Sequence, residues 1–303
     1  MQVYAYDPYN MGSNVPIAVT PGYPGQPIPV QAVQMQPMAG QIRFGGVSYI
    51  ITADPMADLK VCQSVIIKQQ PEFFEMLTGC ETANRYHILA NCNGAFKYLF
   101  KCIERSSCCM RACCPSKIRE FNMDIFHAIS SPITGQMTNN FANAFKPLKI
   151  PCFCCNRPEI LVTLKEGNKY IGKIKHAFTF CDPEFEVYDS QGLKYFVNAD
   201  CCQCGLLCAN NFCGKLSSAT FEIYQPGTSN VIATISKMSA QSYSEIVTDA
   251  DSYEVKFPPG ATAEDKLLLI SLGLMIDYQY FETDSSSNNG MGRRNYGYRL
   301  RYY

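Results

Sequence analysis

Seventeen cysteines in a chain of 303 residues are the groups most able to do chemistry, and they come in clusters. Cys108, Cys109, Cys113 and Cys114 form the first, Cys152, Cys154 and Cys155 the second, and Cys201, Cys202, Cys204, Cys208 and Cys213 the third. That usage is about three times that of an ordinary cytosolic chain. A disulfide needs a Cα separation and dihedral that adjacent cysteines supply poorly. The opening stretch MQVYAYDPYNMGSNVP has no basic start, apolar run or cleavage site, which predicts a reducing compartment. Two uses then remain for the thiols, metal binding and acylation.

Other reactive groups are scarce. Only three histidines occur, His87, His127 and His176, and they share no short motif. No G-x-S-x-G, H-E-x-x-H or phosphate-binding glycine loop is present, and no histidine is placed by sequence beside a cysteine nucleophile, so covalent catalysis is not expected. Lysine plus arginine and aspartate plus glutamate both number 26, so no net field draws the chain onto nucleic acid. Arg293, Arg294, Arg299 and Arg301 alternate with Tyr296, Tyr298, Tyr302 and Tyr303, a pattern that suits single-stranded nucleic acid or a lipid interface, but a solvated tail over 283–303 is the expectation.

The elements that must position the cysteines read mainly as strands. Residues 1–44 are rich in Pro, Gln and Tyr, and predict a disordered or polyproline-like tail. Pro21, Pro24 and Pro27 are spaced for SH3 or WW partners, against the plainer reading of a linker. Asp54 before Pro55 predicts a short capped helix, and Val65, Ile66 and Ile67 follow as an apolar run. Hairpins are predicted across 91–94, 166–168, 189–192 and 226–227, each joining segments of period-two alternation. The stretch 160–176 resembles 221–237 in pattern, and repetition of one hairpin unit favours closure into an antiparallel barrel.

Leu267 to Ile276 reads LLLISLGLMI, well short of the roughly 20 residues that cross a bilayer. A core helix over about 263–281, walled by the sheet, is expected ahead of a membrane-inserted one.

Several separated segments carry a family resemblance. QQPEFFEMLTGCETANRYHI (69–88), CCMRACCPSKIREFNMDIF (108–126), PLKIPCFCC (147–155), and TDADSYEVKFP with LLLISLGLMIDYQYFE (248–258, 267–282) closely resemble the phospholipid scramblases. The resemblance implies a tubby-like fold over 45–282, a closed antiparallel β-barrel around an apolar C-terminal helix. It also implies calcium-stimulated, ATP-independent, bidirectional movement of phospholipids between leaflets by a protein palmitoylated at the cytoplasmic face of the plasma membrane.

The acylation block of the family maps onto Cys152, Cys154 and Cys155, a shorter run than usual, with Lys146, Lys149 and Arg157 as candidate contacts to anionic lipid. The competing use is zinc, drawing on Cys201, Cys202 and Cys204 as well. For Cys108, Cys109, Cys113 and Cys114 neither lipidation nor zinc leads. The family's proposed calcium loop maps onto Asp249 and Asp251, followed by Tyr253, Val255 and Phe257. Its sixth position is Glu254 where an EF-hand has glycine, and its twelfth is Gly260 where a bidentate carboxylate belongs. Binding alone should therefore be weak, in the ~0.1–1 mM class, with Glu264 or Asp265 as candidates to complete it. The alternation of Tyr253, Val255 and Phe257 with Ser252, Glu254 and Lys256 reads equally as a half-buried strand.

Passing a headgroup through hydrocarbon takes a polar groove or local thinning of the bilayer; one short apolar segment cannot form such a groove alone, and a homo-oligomer is one way to supply it. The alternative is a palmitoylated, membrane-tethered lipid-binding adaptor that recruits partners through the Pro-rich head.

Overall fold

The computed structural model describes residues 43–44, 47–48, 54–70, 83–92, 95–127, 140–150, 155–203, 206, 218–238 and 252–281. All lie in one compact unit, Ala39–Tyr303. The Pro-rich tail up to residue 42 and the Arg/Tyr-rich tail fall outside the described residues.

A two-strand ladder comes first, β1 (Arg43–Phe44) with β2 (Val47–Ser48). The helix Pro55–Val61 follows as its capping signal predicts, with Asp54 Oδ1 accepting from Met56 N at 2.8 Å and proline in the first turn.

Twelve strands then form one closed antiparallel barrel. In chain order they are β3 (Ser64–Gln69), β4 (Arg85–Cys92), β5 (Ala95–Arg105), β6 (Phe121–His127), β7 (Asn140–Lys146) and β8 (Glu159–Leu164). The circuit continues with β9 (Lys169–His176), β10 (Glu184–Asp189), β11 (Leu193–Asn198), β12 (Thr220–Tyr224), β13 (Val231–Met238) and β14 (Ser252–Lys256). Each strand pairs with its neighbours in sequence, and β14 closes the ring on β3 with Val255 opposite Val65 and Tyr253 opposite Ile67.

All four predicted hairpins form, as β4–β5, β8–β9, β10–β11 and β12–β13. Alternation sends Phe185, Val187, Phe221 and Ile223 inward. The turn before β13 has Gly227 at φ 79°, a conformation a side chain would strain. On β5 the sequence alternation places Tyr98 and Phe100 on one face. The register instead shifts there, with Leu89 opposite Tyr98 and Ile88 opposite Phe100, so Leu99 is bulged and both Leu99 and Phe100 are buried.

The barrel is filled by the helix Ala263–Ile276, which passes into a π-helical turn at Asp277–Phe281. Thr262 and Asp265 form a reciprocal capping box: Thr262 Oγ1 accepts from Asp265 N, and Asp265 Oδ2 accepts from Thr262 N. Leu267, Leu268, Leu269 and Ile270 are consecutive and wholly buried, so the helix has no exposed face. Burying each such side chain contributes about 1.5–3 kcal/mol relative to leaving it in water. Among the described residues no helix is long and apolar enough to cross a membrane.

Several polar groups inside the barrel are paired at its two ends. Lys266 Nζ donates to the carbonyls of Leu59, Lys60 and Cys62 at 3.2, 2.8 and 2.6 Å, tying the core helix to the C-terminus of the first helix. At the other end Tyr86 donates to Asp277 Oδ2 at 2.6 Å, and Tyr253 donates to Asp277 Oδ1. Glu104 accepts from Asn84 N, Tyr278 Oη and Ser106 Oγ, with Arg119 beside it at 3.5 Å.

Helix and wall meet closely at β9 and at β3. A Cβ on Gly172 would lie 2.1 Å from the Tyr188 carbonyl oxygen and 3.1 Å from Leu268 Cδ1, whereas one on Gly273 would lie 2.6 Å from Ile67 Cδ1, a side-chain tip that can turn away. Gly172→Ala should therefore lower stability by about 3 kcal/mol, at the upper end of the overpacking range, and Gly273→Ala by less than half of that. Urea midpoints of the two variants check the ordering.

Candidate functional site

A consecutive antiparallel barrel sends alternate connections to opposite ends. One end carries the links β3–β4, β5–β6, β7–β8, β9–β10, β11–β12 and β13–β14. In sequence every cysteine except Cys62, Cys92 and Cys102 falls within these six links. The links at the opposite end, at 93–94, 128–139, 165–168, 190–192 and 225–230, and the segment 257–262 leading into the core helix, contain none. The described members of three clusters far apart in the chain, Cys108 to Cys114, Cys155, and Cys201 with Cys202, thus belong to one rim.

The described thiols agree with this division. Cys62 and Cys102 are buried in the core, whereas Cys108, Cys109, Cys113, Cys155, Cys181 and Cys202 are exposed and Cys114 and Cys201 half-buried. Cys108–Cys113 is a short helix capped by Ser107, whose Oγ accepts from Met110 N at 3.1 Å. The neighbouring link is tied to it through Lys149 N, which donates to the Ile118 carbonyl at 3.2 Å. Exposed apolar side chains share this rim: Leu148 at 46%, Ile150 at 68% and Phe180 at 92%.

Two groups among the described residues bring three metal-ligating side chains within 4.8 Å of one another: Cys181, Asp182 and Cys201, and Asp200, Cys201 and Cys202. Asp182 Oδ1 accepts from Cys201 N at 3.0 Å, and this bond holds its carboxyl below the usual range. Hydrogen bonding to Cys181 and then to Asp182 favours the protonated form of Cys201 and pushes its thiol up. Asp200 Oδ1 accepts from Cys202 N at 2.8 Å.

Beside the rim, the end of β9 is locked to the core helix through His176. Arg157 donates to His176 Nδ1 at 3.1 Å; a guanidinium only donates, so Nδ1 accepts and Nε2 carries the proton towards Tyr280 Oη, 2.8 Å away. Burial, then the charges of Arg157 and Lys117, lower the His176 pKa to about 4.

A family profile described as Scramblase matches residues 46–283. The chain belongs to the scramblase family. It is 24% identical to phospholipid scramblase 1 of Mus musculus over 75% of this chain and 64% of that protein. Identity is 28% to phospholipid scramblase 1 of Homo sapiens over 77% and 68%, and 26% to phospholipid scramblase 2 of Bos taurus over 88% and 80%. The mouse alignment thus spans a little under two thirds of that relative. No solved structure matches the chain.

The positions that the scramblase resemblance singles out fare differently. Cys155 is exposed on the rim, while Cys152, Cys154 and Cys204 lie outside the described residues, as do Asp249 and Asp251. Tyr253 and Val255 are core residues of β14, so the alternate positions after Asp251 are occupied in packing. Glu264 and Asp265 do not complete a site there. They sit at the start of the core helix, at the opposite end from the β13–β14 link, with Glu264 on Lys169 at 2.7 Å and Asp265 in the capping box.

Lys146 is not a lipid contact. It is fully buried, with Nζ donating to the Arg119 carbonyl at 2.7 Å and lying over the Phe121 ring. Lys149 pairs with Glu159 at 2.8 Å, and Arg157 faces His176.

Cys181 and Asp182 escaped the reading of sequence clusters because Cys181 stands alone in its segment. The available signal was hairpin register: Phe185 pairs with Val197 and Glu184 with Asn198, and counting outward sets Cys181 opposite Cys201.

A histidine held neutral near pKa 4, against about 6.5 in the unfolded chain, makes the unfolded state the better proton acceptor between those values. His87 is depressed to about 4 in the same way, by burial and then by Lys101 and Lys68. Their contribution is present above pH 6.5 and lost as pH falls through 4. The urea midpoint should drop between pH 7 and pH 4.5, and His176→Gln should make that drop smaller.

Proposed function

We propose that this chain is a phospholipid scramblase that moves lipids between leaflets in both directions without ATP or covalent catalysis, under calcium stimulation. Thioester-linked palmitate on Cys152, Cys154 and Cys155 holds it to the cytoplasmic face of the plasma membrane. Membership of the scramblase family supports the activity. The observation that carries the orientation is the division of the barrel ends, with exposed cysteines and Leu148, Ile150 and Phe180 on one rim. Each buried methylene of an acyl chain adds about 0.8 kcal/mol, and stable anchoring takes two such signals, so two or three acylated thiols suffice without a spanning helix.

Calcium would act at the same rim, since Asp249 and Asp251 belong to the β13–β14 link. With β14 and the start of the core helix committed elsewhere, few ligands remain and the affinity falls in the ~0.1–1 mM class.

One observation favours a second reading. The apolar segment 267–276 is wholly sheathed, so it offers no surface along which a headgroup could pass. The chain would then be a tethered lipid-binding adaptor whose Pro-rich head recruits SH3 or WW partners, and scrambling would require a homo-oligomer.

Reconstitution in liposomes with fluorescent lipid separates the two. Flux that rises with millimolar calcium is the scramblase outcome; absence of flux at that concentration puts the adaptor ahead. For the anchor, hydroxylamine should release the protein from cell membranes, and a Cys152, Cys154 and Cys155 to Ala variant should remain in the soluble fraction. Undiminished membrane binding of that variant would refute thioester anchoring at these positions.

A further inference from the structure

We propose that Cys181, Asp182 and Cys201 bind a zinc ion that clips the β9–β10 link to the β11–β12 link, with Cys202 closing the coordination. The placement follows from register: the hairpin β10–β11 pairs Glu184 with Asn198, and extending it by three residues on each side sets Cys181 against Cys201. Two hydrogen bonds hold the flanks together, Ala199 N donating to the Pro183 carbonyl at 3.0 Å and Cys201 N to the Asp182 side-chain Oδ1 at 3.0 Å. Thr179 Oγ1 donates to the Asp182 carbonyl and braces the first link from the other side.

The ligand atoms of Cys181, Asp182 and Cys201 already lie within 4.8 Å of one another. Two thiolates on a tetrahedral zinc at about 2.3 Å stand about 3.8 Å apart. The Cys201 and Cys202 sulfurs are 3.9 Å apart, while Cys202 groups within 4.8 Å with Asp200 and Cys201 and not with Cys181 and Asp182, so the exposed Cys181, Asp182 and Cys202 side chains close on the ion by rotation. Thiolate-rich sites with one carboxylate select zinc over calcium or magnesium, whose preference is for oxygen alone. Binding displaces the thiol protons to solvent and involves no oxidation.

The site differs from the predicted lipid anchor in position and in chemistry. Metal content of the purified full chain, kept reduced and dialysed, should include an equivalent of zinc that Cys181→Ser with Cys201→Ser removes and Cys108→Ser with Cys109→Ser leaves. Cobalt added to the metal-free chain should give a thiolate charge-transfer band that the first double variant lacks. In the unaltered chain, maleimide labelling read by mass spectrometry should find Cys181 and Cys201 protected by zinc and freed by chelator, with Cys155 labelled in both conditions. Zinc content and cobalt band unchanged in the Cys181 and Cys201 variant would overturn the proposal, as would labelling of these two thiols that ignores zinc. The labelling needs no substitution, so it stands even if the variant folds poorly.

Discussion

A helix that is apolar all round has to be walled on every side, and the rest of this molecule meets that demand. Leu267 to Ile270 leave no face for solvent, so an open sheet or a layer on one side would expose part of them. Twelve strands closing on themselves cover the whole circumference and leave no unpaired sheet edge in the barrel. The fit is close where the helix meets β9, because Gly172 has no room for a side chain between Tyr188 and Leu268. Ser271 satisfies its hydroxyl within the helix on the Leu267 carbonyl, and the charged groups of the helix sit at its ends, where Lys266 finds three carbonyls and Asp277 two phenols.

Much of this was legible in the chain because the signals were local. Turn residues at 166–168, 189–192 and 226–227 marked three hairpins, and Asp54-Pro55 marked the start of the first helix. The bulge at Leu99 was hidden, since a register shift depends on the partner strand and leaves no trace in alternation. Lys146 misled for a similar reason. A lysine beside a cysteine block reads as a surface charge, but its place at the end of β7 turns it onto the Arg119 carbonyl and the Phe121 ring. The proximity of Cys181 to Cys201 required the hairpin register and could not come from cluster spacing alone.

The parity of the strands divides labour between the barrel ends. The capped start of the core helix and the links without cysteine gather at one end, while the links carrying the reactive side chains gather at the other. Long connections on a rigid frame can vary without disturbing the wall that supports them. Acylation, calcium binding and zinc binding, as proposed, would act through this one surface, and the buried helix would serve it as a support.

The order of the elements along the chain also shapes how the molecule is made. The core helix follows all twelve strands, and the ring closes only when β14 meets β3. A ribosome therefore releases most of the wall before its filling exists, and the nascent sheet must keep its greasy lining out of trouble while it waits. Closure of this kind is a late, long-range event, so chaperone demand and sensitivity to C-terminal nonsense mutations are built into the topology rather than into any single residue.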